Sequence, residues 1–187
     1  VCALAWLGVH SWMQIIRFDR LAAKTPAVIQ AKDWVEKNVV SGTGVAVFEG
    51  MPLNPNIVSL DRQILETESR GLGAGLRLRR LRRYANSMMP AYDVYEFQNP
   101  WRKDFLTAKF DYFALHKAGV RYVLLNGDWE RYLADTSRFS AQAGLHRQVV
   151  DNCHKRAHFE QGMPDVDLGT IGPPAKGYVE IFECPQA

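Results

Sequence analysis

Cysteine is scarce in this chain, with three residues in 187 and no C-x-x-C pair. That excludes a cysteine zinc site and a dense disulfide framework, while leaving room for one bridge outside the cytoplasm. An excess of one charge is also missing: 23 Lys and Arg against 20 Asp and Glu leave +3. So mild a balance excludes a domain-wide nucleic-acid surface, and any basic contact has to be local. Neither a G-x-S-x-G elbow nor a P-loop occurs, so nucleophilic and nucleotide hydrolysis have no sequence support. No self-contained active site is legible, and no cofactor is implied. What is present, 47% hydrophobic residues with 14 Gly and 9 Pro, suffices for one globular domain with a sizeable core.

The first sixteen residues, VCALAWLGVHSWMQII, carry no Lys, Arg, Asp or Glu, and charge arrives at Arg17, Asp19 and Arg20. As a helix they would span roughly 24 Å at about 1.5 Å per residue, short of a hydrocarbon core of about 30 Å. No basic region precedes the apolar run and the chain opens on Val, which argues against a whole secretory signal peptide. Residues 1–16 therefore read as the end of a truncated transmembrane helix, with Trp6, Trp12 and Arg17 suited to an interfacial belt. An amphipathic helix packed on the domain is the alternative, because His10, Ser11 and Gln14 are polar.

Residues 17–187 read as one soluble α/β domain. Thr25-Pro26 offers a cap followed by Pro at the first helical position, and Val28, Ile29, Ala31, Trp34 and Val35 recur at helical spacing, predicting a helix over 26–39. The apolar run GVAVFE at 44–49, closed by Gly50 and Pro52, predicts a buried strand. Further strands are expected at 57–60, 92–97, 120–125, 146–152 and 178–183. The stretch RQILETESR at 62–70 looks helical. FDYFALHKAG at 110–119 is amphipathic, ends in Gly119 and feeds the apolar VRYVLLNG, a helix–Gly–strand unit of an α/β sheet. A helix is expected over 128–143, and 163–177, rich in Pro and Gly, reads as a loop. The expectation is a single domain with a mixed sheet of about five or six strands flanked by helices. Cys153 and Cys184 fall near the ends of the last two predicted strands, which could pair as neighbours, so a disulfide between them is allowed. Cys2 reads as an inert thiol.

Several motifs invite chemistry and fall short of it. GLGAGL at 71–76 lacks the last Gly of a dinucleotide fingerprint, since Leu76 stands there and no strand precedes it. Asp165-Val166-Asp167 resembles a D-x-D metal pair, but only 20 residues follow it, and it reads as a solvated loop. His154 and His158 would share a helical face, yet the region reads as strand and loop with no third ligand, so they are taken as surface histidines and no metal site is expected. The densest anomaly is LRLRRLRRYA. At about 100° per residue, Ala74, Leu78, Leu81, Tyr84, Ala85 and Met88 share one arc, Arg79, Arg80, Arg82 and Arg83 lie opposite, and Arg77 sits at the boundary. Guanidinium groups bind phosphate through paired donors, so Arg77, Arg79, Arg80, Arg82 and Arg83 are the candidate phosphate or lipid-headgroup site. A solvated helix face partly neutralised by Glu66, Glu68 or neighbouring acids is the alternative. No aromatic stacking platform accompanies the arginines, and nucleic acid is not expected as a partner.

The order of an apolar helix end, a polar step, AKDWVEKNVVSGTGVAVFEG, PLNPNIVSLD, FDYFALHKAGVRYVLLNGDWERYL and a terminal GYVEIFEC resembles the C-terminal extracytoplasmic domain of bacterial multi-spanning polyprenyl-phosphate-sugar glycosyltransferases, similar to dolichyl-phosphate-mannose protein mannosyltransferases. The resemblance covers most of residues 15–184. It implies that sugar transfer belongs to membrane loops outside this chain, that no catalytic residue carries over, and that the domain assists acceptor or carrier docking. The implied partners are the membrane, the transmembrane part of the same protein and a lipid-linked sugar phosphate. The implied location is the inner (cytoplasmic) membrane, with the domain on the periplasmic or extracytoplasmic side. A membrane-anchored α/β ligand-binding or sensing domain without transferase activity is the alternative.

Overall fold

The computed structural model describes residues 25–48, 51–69, 82–83, 89–97, 111–160 and 177–185. Their elements, in chain order, are α1 (Ala27–Asn38), β1 (Gly44–Phe48), α2 (Ile57–Ser69), β2 (Asp93–Phe97), α3 (Tyr112–Lys117), β3 (Val120–Asn126), α4 (Asp128–Ala134), α5 (Ser140–Asn152), β4 (His154–Glu160) and β5 (Tyr178–Glu183). The expected α/β domain is therefore present, with a mixed five-stranded sheet of order β2-β1-β3-β5-β4. β1 lies parallel to both β2 and β3, while β5 runs antiparallel to β3 and to β4. No described helix is long and apolar enough to cross a membrane. The segments 1–16, 71–76 and 163–176, and Arg77, Arg79 and Arg80, lie outside the described residues.

Alternation of side chains across the strands divides the core in two. On one face α1 lays Ala27, Ala31 and Val35, followed by its C-cap Val39, over Val45, Val47, Tyr122, Leu124, Val179 and Ile181. On the other, Trp129, Tyr132, Phe139, Leu145 and Val149 cover Ala46, Val123, Leu125 and Phe182. Fully burying a side chain such as Leu124, Leu145 or Ile181 contributes about 1.5–3 kcal/mol each. The amino ends of β1 and β3 approach closely. Gly119, at φ 80°, ends the α3 turn as the sequence predicts, and a Cβ added at Gly44 would stand 2.5 Å from the Gly119 carbonyl oxygen.

Three expectations are corrected. Residues 57–60, read as a strand, open helix α2. Asn56 accepts from the Ser59 amide at 2.9 Å and its own amide donates to the Tyr92 carbonyl at 2.7 Å, so it is a helix N-cap. Ile57 and Val58 are exposed while Ser59 and Leu60 are buried, a helical rather than an alternating pattern. Residues 146–152, also read as a strand, belong to α5, where Leu145 and Val149 share the buried face one turn apart. The helix expected over 128–143 is split. The Asp135 side chain accepts from the Arg138 amide at 3.2 Å and the Ser137 hydroxyl at 2.7 Å, a local turn that competes with helix continuation. A smaller shift affects α1: Pro26 is itself the cap, its carbonyl receiving the amides of Ile29 and Gln30.

Helix α2 lies along the outer edge of β2. The Ser59 hydroxyl and the Arg62 guanidinium both donate to the Val94 carbonyl, at 2.8 and 2.9 Å, and Arg62 reaches Asp93 Oδ1 at 2.6 Å while stacking 3.6 Å over the Tyr95 ring. An edge-strand acceptor is thereby satisfied within the chain.

Candidate functional site

Of the five arginines singled out by the sequence, Arg82 and Arg83 are described, in helical conformation and exposed. Arg82 forms a two-point ion pair with Asp61 of α2, its Nη2 lying 3.3 Å from Asp61 Oδ2. The guanidinium holds the Asp61 carboxyl below its ordinary range, first through this hydrogen bond. One member of the basic cluster is thus turned onto an acid of its own domain, as the solvated-face alternative anticipates, with Asp61 as the acid.

A second group of charged and aromatic side chains forms where β3 ends and the β4–β5 ribbon begins. Tyr178, Glu180 and Phe182 alternate toward the α4–α5 face, and Phe182 joins the core there. Glu180 pairs in register with His158 on β4. Its Oε1 accepts from Lys155 Nζ at 2.7 Å and lies 3.0 Å from His158 Nδ1, while His158 Nε2 lies 3.0 Å from Glu160 Oε1. The His158 ring stacks on Tyr178 at 5.5 Å between centroids. From α5, His146 sits 6.0 Å from the buried Trp129 ring; burial lowers its pKa, with Glu180 opposing the shift and Lys155 adding to it. Burial, helped by Glu130 and Glu180, pushes the Tyr178 phenol up to about 12, so it is a neutral donor at any physiological pH.

This cluster was not singled out as a site by sequence reading. His158, taken there as a surface histidine, is held on three sides by Tyr178, Glu160 and Glu180. The available signal was the opposed charge pattern of HKRAHFE and YVEIFE, which becomes meaningful only once the two strands are known to be neighbours. No group of three or more His, Cys, Asp or Glu among the described residues has the arrangement of a metal site.

At the other end of the ribbon Cys153 and Cys184 form a disulfide. Cys153 precedes β4 and Cys184 follows β5, so antiparallel pairing brings them together; the pairing is the one the sequence allowed, although the strand beside Cys153 starts after it. Arg121 and Arg156 both donate to Glu183 next to the bridge, at 2.6 and 2.5 Å, and the Arg121 hydrogen bond leads in lowering the Glu183 carboxyl below its usual range.

Protein-family models, curated proteins and solved structures yield no match to this chain.

Proposed function

We propose that this chain is the non-catalytic, extracytoplasmic domain of a membrane glycosyltransferase that draws its sugar from a polyprenyl-phosphate carrier, and that it assists acceptor or carrier docking. The observation that carries the reading is the Cys153–Cys184 disulfide. Such bridges persist in oxidising compartments and are rare in the cytosol, which suits a domain on the periplasmic face of the inner membrane. The segments that carry the family resemblance fall on α1–β1, the opening of α2, α3–β3–α4 and β5, the structural skeleton of the domain. In this reading the headgroup or carrier-phosphate contact falls to Arg77, Arg79, Arg80 and Arg83, with Arg82 committed in part to Asp61.

The test is transfer from a polyprenyl-phosphate sugar, measured with the full-length protein in membranes, with the same protein lacking residues 25–187, and with the 187-residue chain alone. Transfer by the first, impaired or lost in the second and absent in the third is expected. Transfer by the 187 residues alone would overturn the reading, as would a parent protein with a single hydrophobic span and no transfer, which favours the anchored sensing domain. Flotation with anionic vesicles at low and high salt checks the arginine contact. Binding indifferent to lipid charge or to Arg→Ala substitution at the four positions removes that part.

A further inference from the structure

His158 touches two carboxylates at once. Nδ1 is 3.0 Å from Glu180 Oε1, and Nε2 is 3.0 Å from Glu160 Oε1. A carboxylate only accepts, whereas a neutral imidazole carries one N–H and one lone pair, so it can serve one of these partners and must present a lone pair to the other. Only the imidazolium donates to both. We infer that His158 is a proton-operated clasp at the Glu160–Tyr178 end of the β4–β5 ribbon, closed when the ring is protonated and released at Glu160 when it is not.

The choice of Glu160 as the contact that lapses follows from exposure. The Glu160 side chain is 76% exposed and water can solvate it, whereas that of Glu180 is 14% exposed and retains need of a donor. The remaining proton therefore stays on Nδ1, toward Glu180. The other groups facing the ring are accounted for. Lys155, on the same strand, shares Glu180 Oε1 and keeps that carboxylate partnered in both states. Tyr178 of β5, stacked under the ring, stays neutral. Glu130 of α4 acts on Tyr178, and His146 of α5 acts through Glu180 and Lys155; His146 is partly buried, and that burial favours its neutral form. An imidazole is the side chain suited to a proton-operated contact, and here it supplies the clasp. It stands on ribbon geometry alone, whatever the parent protein does.

The experiment is amide hydrogen exchange on the 187-residue chain, read as protection factors at Phe159, Glu160, Tyr178 and Val179 across pH 5 to 8, alongside the ring resonances of His158. Wild-type protection at these amides should be about two- to fivefold higher at pH 5 than at pH 8, the scale of a partly exposed ion pair. His158→Gln should flatten the profile. Glu160→Gln, at an exposed position that leaves the core intact, should flatten it too, because its amide can donate to the ring lone pair. A flat wild-type profile overturns the clasp, as does a slope that survives both substitutions or one lost only in His146→Gln. Should His158→Gln disturb the fold by circular dichroism, Glu160→Gln decides alone.

Discussion

Single residues fix the closest approaches in this molecule. Gly119 is the plainest example, because it was legible in the sequence as the end of an amphipathic helix and its φ of 80° explains the choice of glycine. Gly44 was visible only as the first residue of an apolar run. Its role comes from a neighbour 75 positions away in sequence, since a Cβ there would meet backbone of Gly119 and Val120, which cannot rotate aside. Gly44→Ala should therefore cost about 1–3 kcal/mol through overpacking. Gly144→Ala, inside α5 with nothing within 4 Å, should instead stabilise by roughly 0.5–1 kcal/mol. Urea midpoints of the two variants measure this, and equal shifts would show that β1 and β3 do not press together at their amino ends.

Elements were legible where local signals agreed with tertiary demand. The apolar run of β3 and the helix–Gly–strand unit before it needed no partner to be recognised, and β2 and β5 fall within or on the strands expected at 92–97 and 178–183. The failures at 57–60 and 146–152 both turn on a β-branched pair, Ile57-Val58 and Val149-Val150, that suits a strand as well as a helix, and only the Asn56 cap or the one-turn spacing of Leu145 and Val149 separates the two. The exposed β4 escaped recognition because its charges are balanced by β5 rather than by anything nearby in the chain. The ribbon those strands form is closed covalently by a bridge spanning 31 residues. Cys153→Ser with Cys184→Ser should lower stability by about 3–4 kcal/mol on the chain-entropy estimate for a loop of that length. Denaturant unfolding of the oxidised, reduced and double-Ser proteins checks it: the last two should coincide, and coincidence of all three would mean the bridge does not constrain the unfolded chain.

For the molecule as a whole, ionisation sets the limits of stability. Burial leads in pushing the phenols of Tyr132 and Tyr178 up to about 12. Unfolded tyrosines ionise near pH 10. The folded state therefore binds more protons above that value, and the stability from keeping these phenols neutral is present below about pH 10 and lost as pH rises toward 12. Asp61, Asp135 and Glu183 act in the opposite direction, their carboxyls lowered first by hydrogen bonds from Arg82, Ser137 and Arg121 respectively. Their contribution is present above the usual carboxylate range near pH 4 and fades as pH falls through the folded values. Tyrosinate absorbance followed with circular dichroism should show two of the phenols ionising only as the secondary structure is lost. Full tyrosinate formation in a still-folded protein would contradict this.

The two rims of the sheet are finished differently, and this bears on how copies of the molecule meet when crowded. On the β2 rim, Ser59 and Arg62 already occupy the Val94 carbonyl, so an incoming chain finds that rung taken. On the β4 rim the ladder is interrupted between Lys155 and Ala157, and the strand is studded with charge. Fibrillar stacking through end-on growth is therefore discouraged at one rim by a guest already seated and at the other by irregular spacing and electrostatic mismatch.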